Sequence, residues 1–344
     1  MIEQYVAETV SDFIQIVREL QSNTSKIAYY QKNYLEKRMQ DSNADYDQFK
    51  YYAAVSKEKA MTLNSMSKEP YYSEDPAAQA TSYRFFYRGH YKADYKLLPS
   101  VFRESFWNKE DQFIREITLQ CPELFENASH LDRLVTMQHY DCPTRLLDVT
   151  TNPLVALFFA CANFGCDHCN RSQKGEVIVF PVLPEDITYS DSGRARVLSC
   201  LAGFSRLQKE ELLLETLVSL DKGKYDKKKN GYYFHSVVER FYMEIATENP
   251  AFKRELNPLD VLHPVFVRPN KTNRRILKQD GAFILNGLSK NAGEAESKIE
   301  DMGNFRIRIV NQERVLRELA SIGIHEASLF PEVDKVARYL KQTL

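Results

Sequence analysis

The chain has almost no excess charge. Its 46 basic and 47 acidic residues leave a net charge of −1, and the isoelectric point is about 6.7. No protein-wide positive field is therefore present to gather a nucleic-acid backbone, which leaves only local basic patches for that purpose. Long apolar runs are missing as well. The longest candidate, Pro153 to Ala162, falls far short of the roughly 18 apolar residues of a membrane span. Met1 to Val17 lacks the basic head and unbroken apolar stretch of an export signal, so a soluble, cytoplasmic protein that engages no membrane is expected. In that compartment the six cysteines, at 121, 142, 161, 166, 169 and 200, are expected to be free or metal-bound, not paired in disulfides. Tryptophan occurs once, against 20 Tyr and 20 Phe. No internal repeat or low-complexity tract is visible.

What is present suits a globular protein with an ordinary core, 43% hydrophobic and 27% charged. A length of 344 residues allows two or three domains, or one domain with insertions. Ser11-Asp12 followed by Phe13, Ile14, Ile16, Val17 and Leu20 reads as a capped amphipathic helix. Residues 22–75 contain no glycine and are rich in Tyr, Lys, Gln, Ser and Asn, which suits one or two solvated helices inserted before the core. Residues 1–80 are thus expected to be a helical N-terminal segment, ahead of a core over 81–344. Tyr83 to Gly89 reads as a strand, and helices follow over 108–120 and 129–140. Pro153 starts a helix that is apolar all round and therefore buried. Further strands are expected at 175–180, 265–267, 282–285 and 305–310. Helices are expected at 204–220, 232–248, 312–321 and 330–343. Strands and helices are interspersed without a regular βαβ repeat, so the class is α+β.

Four segments carry a family pattern. They are Phe86-Tyr87-Arg88-Gly89; Gln138-His139-Tyr140-Asp141-Cys142-Pro143-Thr144-Arg145-Leu146-Leu147-Asp148-Val149-Thr150, continuing through Asn152-Pro153-Leu154 to Ala160; Arg275-Ile276 with Gln279-Asp280-Gly281-Ala282-Phe283; and Gly323 to Pro331. Together and in this order they resemble the FRG domain, named for its Phe-x-Arg-Gly motif. The chain departs from the family in three places. Asp141-Cys142 replaces the usual Gly-containing pair, a cysteine-bearing insertion spans 161–175, and residues 22–75 lie outside the shared core. The family recurs among bacterial conflict and phage-defence proteins, so the resemblance implies an effector or toxin in antiviral defence. Its motif order is similar to that of ADP-ribosyltransferases with an Arg-Ser-Glu pattern. Arg88-Gly89, Thr150-Thr151 with the following apolar helix, and Gln279 would fill those three places. The resemblance therefore implies mixed, mainly antiparallel central sheets flanked by helices in an ADP-ribosyltransferase-like arrangement, with NAD as the cofactor.

The residues themselves allow two uses at each position. An arginine at a strand end can grip a phosphate with its planar fork, and Gly89 would let backbone approach that ligand. Arg88 could equally pair with a buried carboxylate such as Asp148 to fix the fold. His139 can act as acid or base near neutral pH, Arg145 can bind phosphate, Asp148 can orient either of them, and Thr144 or Thr150 can contact a ribose. The alternative is a polar network that caps the helix at Pro153, with Asp148 or Thr151 at its N-terminus. Gln279 can hold a ribose hydroxyl but lacks the charge of the glutamate in transferases, and Glu239, Glu244 or another carboxylate would have to supply it. On a strand, Asp280 would face away. Cys161, Cys166, His168 and Cys169 have the residue types and one Cys-x2-Cys half-site for structural zinc; the alternative is a core Cys161 beside an exposed hairpin with free thiols. The run Lys222 to Lys229 offers a local basic loop for nucleic acid, or simply a solvated one. Two functions follow as expectations: an ADP-ribosyltransferase-like enzyme using NAD, or a non-catalytic sensor of a nucleotide, an RNA or a phage or host protein.

Overall fold

The computed structural model describes residues 3–23, 26–28, 83–163, 174–221, 236–252, 258–271, 273–303 and 305–344. The chain enters on strand β1 (Glu3–Ala7) and turns into helix α1 (Val10–Ser22). The cap of α1 is Thr9, not the expected Ser11-Asp12 pair. Its hydroxyl accepts the Asp12 N–H at 3.0 Å, and the Asp12 carboxylate reaches back to the Thr9 N–H. Asp12 is thus the return arm of a capping box. Most of the polar stretch 22–75, the cysteine-bearing insertion beyond Asn163 and the basic run 222–229 lie outside the described residues.

Strand β2 (Arg84–His90) carries the first motif. After it come α2 (Glu110–Gln120), α3 (His130–His139), β3 (Leu146–Thr150), α4 (Pro153–Cys161), β4 (Gly175–Val182), β5 (Ile187–Tyr189), α5 (Gly193–Cys200), α6 (Arg206–Asp221) and α7 (Ser236–Glu248). The chain continues through β6 (Val265–Arg268), α8 (Arg274–Lys278), β7 (Gly281–Leu285), α9 (Ala292–Glu300), β8 (Phe305–Ile309), α10 (Gln312–Ser321), α11 (Glu326–Leu329) and α12 (Val333–Thr343). The class is α+β. Among the described residues the strands form one mixed sheet of eight, in the order β1-β8-β4-β2-β3-β7-β6-β5. The edge pairs β1–β8 and β5–β6 are parallel and the inner pairs antiparallel. The N-terminal strand therefore completes the sheet beside the last strand of the chain.

Strand alternation sorts the core. On one face, Val177, Val179, Phe305 and Ile307 pack under α1, α4 and α10. Farther along, Leu146, Val267, Phe283 and Leu285 pack under α3, α5, α6 and α7. The residues between them in sequence, Ile178, Phe180, Leu147, Val149 and Ile284, line the opposite face. Helix α4 buries Val155, Ala156, Leu157, Phe158 and Ala160, as its apolar circumference predicts.

One seam in the sheet is open. Strands β2 and β3 pair only at Tyr87↔Thr150, whereas β2 runs in full register with β4. The motif side chains gather beside this opening.

Candidate functional site

A cleft of about 230 Å³ lies over the β2–β3 seam, between the two helical groups on that face. Arg88, Gln138, His139, Asp148, Arg275 and Gln279 give it polar walls, and Val155, Ala156 and Phe159 of α4 give it an apolar one. This mixture of apolar lining and a few convergent polar groups is what small-ligand sites present.

Arg88 fills the seam. Its Nη1 donates to the Asp148 backbone carbonyl at 2.6 Å, and its Nε donates to His90 Nε2 at 2.8 Å. The carbonyl that would face a strand N–H in a closed ladder is met by a guanidinium instead. Among the described residues Nη2 has no hydrogen-bond partner. Burial lowers the Arg88 pKa, the Asp148 carboxylate opposes that and Arg103 adds to it, leaving it at about 10, so the group stays cationic at neutral pH. Asp148 contributes its backbone to the fold while its carboxylate remains at the cleft, where it accepts from Gln138 Nε2 at 2.9 Å.

Other motif residues turn out to hold the site together. Gly89 was expected to clear space for a ligand, but it clears space for helix α4. A Cβ there would lie 1.9 Å from the Ala156 carbonyl oxygen and 2.6 Å from the Ala160 nitrogen. Thr144 is fully buried; its hydroxyl donates to Gln138 Oε1 and accepts the Leu146 N–H at 3.2 Å, so no hydroxyl faces a ribose. Thr150 lines the cleft, but its hydroxyl donates to the Gln279 backbone carbonyl at 2.7 Å, tying β3 to the turn before β7. The cap of α4 is Asn152, neither Asp148 nor Thr151, with its Oδ1 accepting the Leu154 N–H at 3.0 Å. Asp141 takes φ 58°, directly after the Tyr140 C-cap of α3. The Asp141 and Cys142 N–H groups close that end on the Gln138 and Met137 carbonyls, the paired bonds of a Schellman motif. A glycine suits that position best, which gives a physical reason for the family's Gly-containing pair.

Arg145 does not share the cleft with Arg88 and His139. It is 2% exposed and grips Glu110 with Nε at 2.9 Å and Nη2 at 2.5 Å, while Nη1 donates to the Asn286 carbonyl at 3.1 Å. Lys209 reaches the same carboxylate at 2.6 Å. Burial alone would raise the Glu110 pKa, but the two cations outweigh it and hold it at about 2. Arg145 is therefore a core ion-pair residue joining α2, α6 and the start of β3. Glu110 and Lys209 carried no motif signal; the clue available was that an inward arginine demands a counter-charge.

His139 and Gln279 do line the cleft. His139 Nδ1 is buried without a hydrogen-bond partner among the described residues. Gln279 was expected to precede Asp280 on a strand; instead it ends α8, and Asp280 takes φ 46° before β7 begins at Gly281. The Gln279 amide donates to the Leu329 carbonyl at 3.2 Å. Arg275, quoted with the third motif but given no role there, stacks on Phe330 at 4.8 Å and joins the cleft wall. The carboxylates that line the cleft are Asp148 and Asp141. Glu239 and Glu244 belong to α7, and Glu244 faces His130 at 3.6 Å. Cys161 is buried in the apolar cluster around α4, and burial pushes its thiol up. Cys166, His168 and Cys169 lie outside the described residues. Among the described residues no three His, Cys, Asp or Glu side chains cluster as metal ligands, and no helix is long and apolar enough to cross a membrane.

No curated protein and no solved structure matches the chain. The family model of the FRG domain does, over residues 83–167, the stretch that builds β2, β3 and α4. Residues 83–167 thus match the FRG domain, and the matched stretch contains Arg88 and the α4 wall of the cleft.

Proposed function

We propose that the cleft binds a phosphate-bearing nucleotide of the NAD class with Arg88 as its anion anchor, and that the protein is an ADP-ribosyltransferase-like effector of bacterial conflict or phage defence. The observation that carries this reading is the adjacency of β2, β3 and β7, which brings Arg88, Thr150 and Gln279 around one small cavity. That is the order in which the Arg, Ser/Thr and late polar positions follow in the transferase pattern. Arg88 offers Nη2, with the remaining hydrogen of Nη1, to phosphate oxygens, a charge-assisted contact. Val155, Ala156 and Phe159 give a base or nicotinamide ring an apolar wall. His139 presents its ring at the same cleft, with Nδ1 without a hydrogen-bond partner among the described residues. The charge that stabilises an oxocarbenium-like transition state comes from Asp148 or Asp141 in this reading, since Gln279 has none.

Calorimetry with NAD and with ADP-ribose tests it. Arg88→Ala is expected to lose about 1.5–3 kcal/mol of binding, the worth of a charged hydrogen bond, while the fold persists. Equal binding by both proteins removes Arg88 from the role. The second reading, a binding module without catalysis, draws on the neutral amide of Gln279 at the late motif. NAD turnover above background in the wild type would reject it.

A further inference from the structure

His90 lies two residues beyond Arg88 and so on the same face of β2. It is 3% exposed, and at that depth a histidine is either partnered or neutral. Its Nε2 accepts the Arg88 Nε–H at 2.8 Å. An accepting Nε2 must carry a lone pair, which puts the proton of a neutral ring on Nδ1. Nδ1 looks toward Glu176 Oε1 of β4 at 4.0 Å, too far for a hydrogen bond. Glu176 is itself held by Arg306 of β8 at 2.5 Å, and Arg306 also pairs with Glu300 at the end of α9. Three cations, Arg88, Arg306 and Arg103, therefore act on this ring, with one carboxylate facing it. Burial first, then those cations, push its pKa down to about 2, opposed by the Tyr95 backbone.

We propose that His90 is the positioning residue of the anion anchor: by taking the Nε–H it turns the outer Nη1–Nη2 edge of Arg88 into the cleft. The side edge of the guanidinium, Nε with Nη2, is then closed to ligand. The Asp148 carbonyl uses one hydrogen of Nη1, and the remaining N–H groups at the outer edge meet an anion end-on. Two fixed bonds leave the fork little freedom to lose on binding, so the anchor is pre-organised. Behind the ring, Glu176, Arg306 and Glu300 form an ionic chain drawn from three elements. The effect on affinity rests on the proposed nucleotide site, but the effect on Arg88 itself does not.

The experiment uses the full chain as wild type, His90→Leu and His90→Gln. Gln keeps an acceptor in place of Nε2 and Leu removes it. The first readout needs no ligand: the 15N resonance and solvent exchange of the Arg88 Nε–H, assigned with Arg88→Ala. Slow exchange is expected in wild type and His90→Gln, and fast exchange with a shifted resonance in His90→Leu. The second readout is ADP-ribose affinity, expected to fall roughly tenfold in His90→Leu and to recover to within about twofold in His90→Gln. If the Arg88 Nε–H is unchanged in His90→Leu, the proposal is overturned. It is overturned too if both variants lose affinity and melting temperature together, because His90 is then a packing residue. A wild type that binds no ADP-ribose, with the Nε–H still dependent on His90, defeats the nucleotide reading and leaves the positioning role standing.

Discussion

Arg145 and Arg88 are both motif arginines, and replacing Arg145 by methionine separates their duties. Methionine fills most of the aliphatic space and removes the charge, leaving Glu110 to Lys209 alone. The lost contacts are a two-pronged grip on Glu110, at 2.9 and 2.5 Å, and a bond to the Asn286 carbonyl at 3.1 Å. Arg145 and Glu110 side chains are 3% and 1% exposed, so water cannot replace those bonds. Removing one partner of a pair buried this deeply costs about 3–5 kcal/mol, the residual Lys209 contact favouring the lower end. At roughly 2 °C per kcal/mol for a chain of this size, the melting temperature should fall by about 6–10 °C. Urea unfolding followed by circular dichroism, with melting curves alongside, measures both. Nucleotide affinity, read well below the melting temperature, should stay within about twofold of wild type because Arg145 lies outside the cleft. A variant of unchanged stability that no longer binds nucleotide would refute the reasoning and return Arg145 to the ligand.

Gly89→Ala should destabilise by at least about 1–3 kcal/mol, because the new Cβ meets helix backbone and not a movable side chain; a melting curve like that of wild type would show that Gly89 serves the ligand. Acid should weaken the fold in two stages, since His90 and Glu110 sit at about 2 when folded against ordinary values of 6.5 and 4.5. Unfolding releases groups that bind protons more readily, so stability is full above the unfolded values and is lost as pH falls, first through His90 below 6.5 and then also through Glu110 below 4.5, at up to about 1.4 kcal/mol per pH unit each. Urea midpoints measured across that range should slope more gently between 6.5 and 4.5 in His90→Gln, and parallel slopes would refute the assignment.

The elements legible in the sequence were those whose pattern is local. The aromatic stretch 83–89 became β2, and the apolar helix from Pro153 became α4. Strand β3 was hidden, because Leu146 to Thr150 carries buried residues toward both faces and so shows no alternation beside its polar neighbours. The short edges β1 and β5 depend on partners far away in sequence, as when Glu3 to Ala7 pairs with Phe305 to Ile309. Pairing of that kind leaves no mark within the segment itself, and it joins into one sheet what the residues alone suggested as several.

The candidate site divides along the same line between local chemistry and distant partners. Residue type indicated which groups could meet an anion, and Arg88 and His139 do reach the cleft. Type could not say which arginine would be free to do so. Arg145 is spent on Glu110, 35 residues earlier, and on Lys209 farther on, neither of them in a motif. Thr144 and Thr150 are spent on Gln138 and on the carbonyl of Gln279. A polar group inside a protein must be satisfied, so each hydroxyl or guanidinium committed to the frame is withdrawn from a ligand. What distinguishes Arg88 is the open seam between β2 and β3, where a guanidinium can close the Asp148 carbonyl and His90 and still keep Nη2 without a partner among the described residues. The chemistry of the cleft follows from that incomplete satisfaction. Closing the seam with a full ladder would bury the same motif residues and leave no anchor.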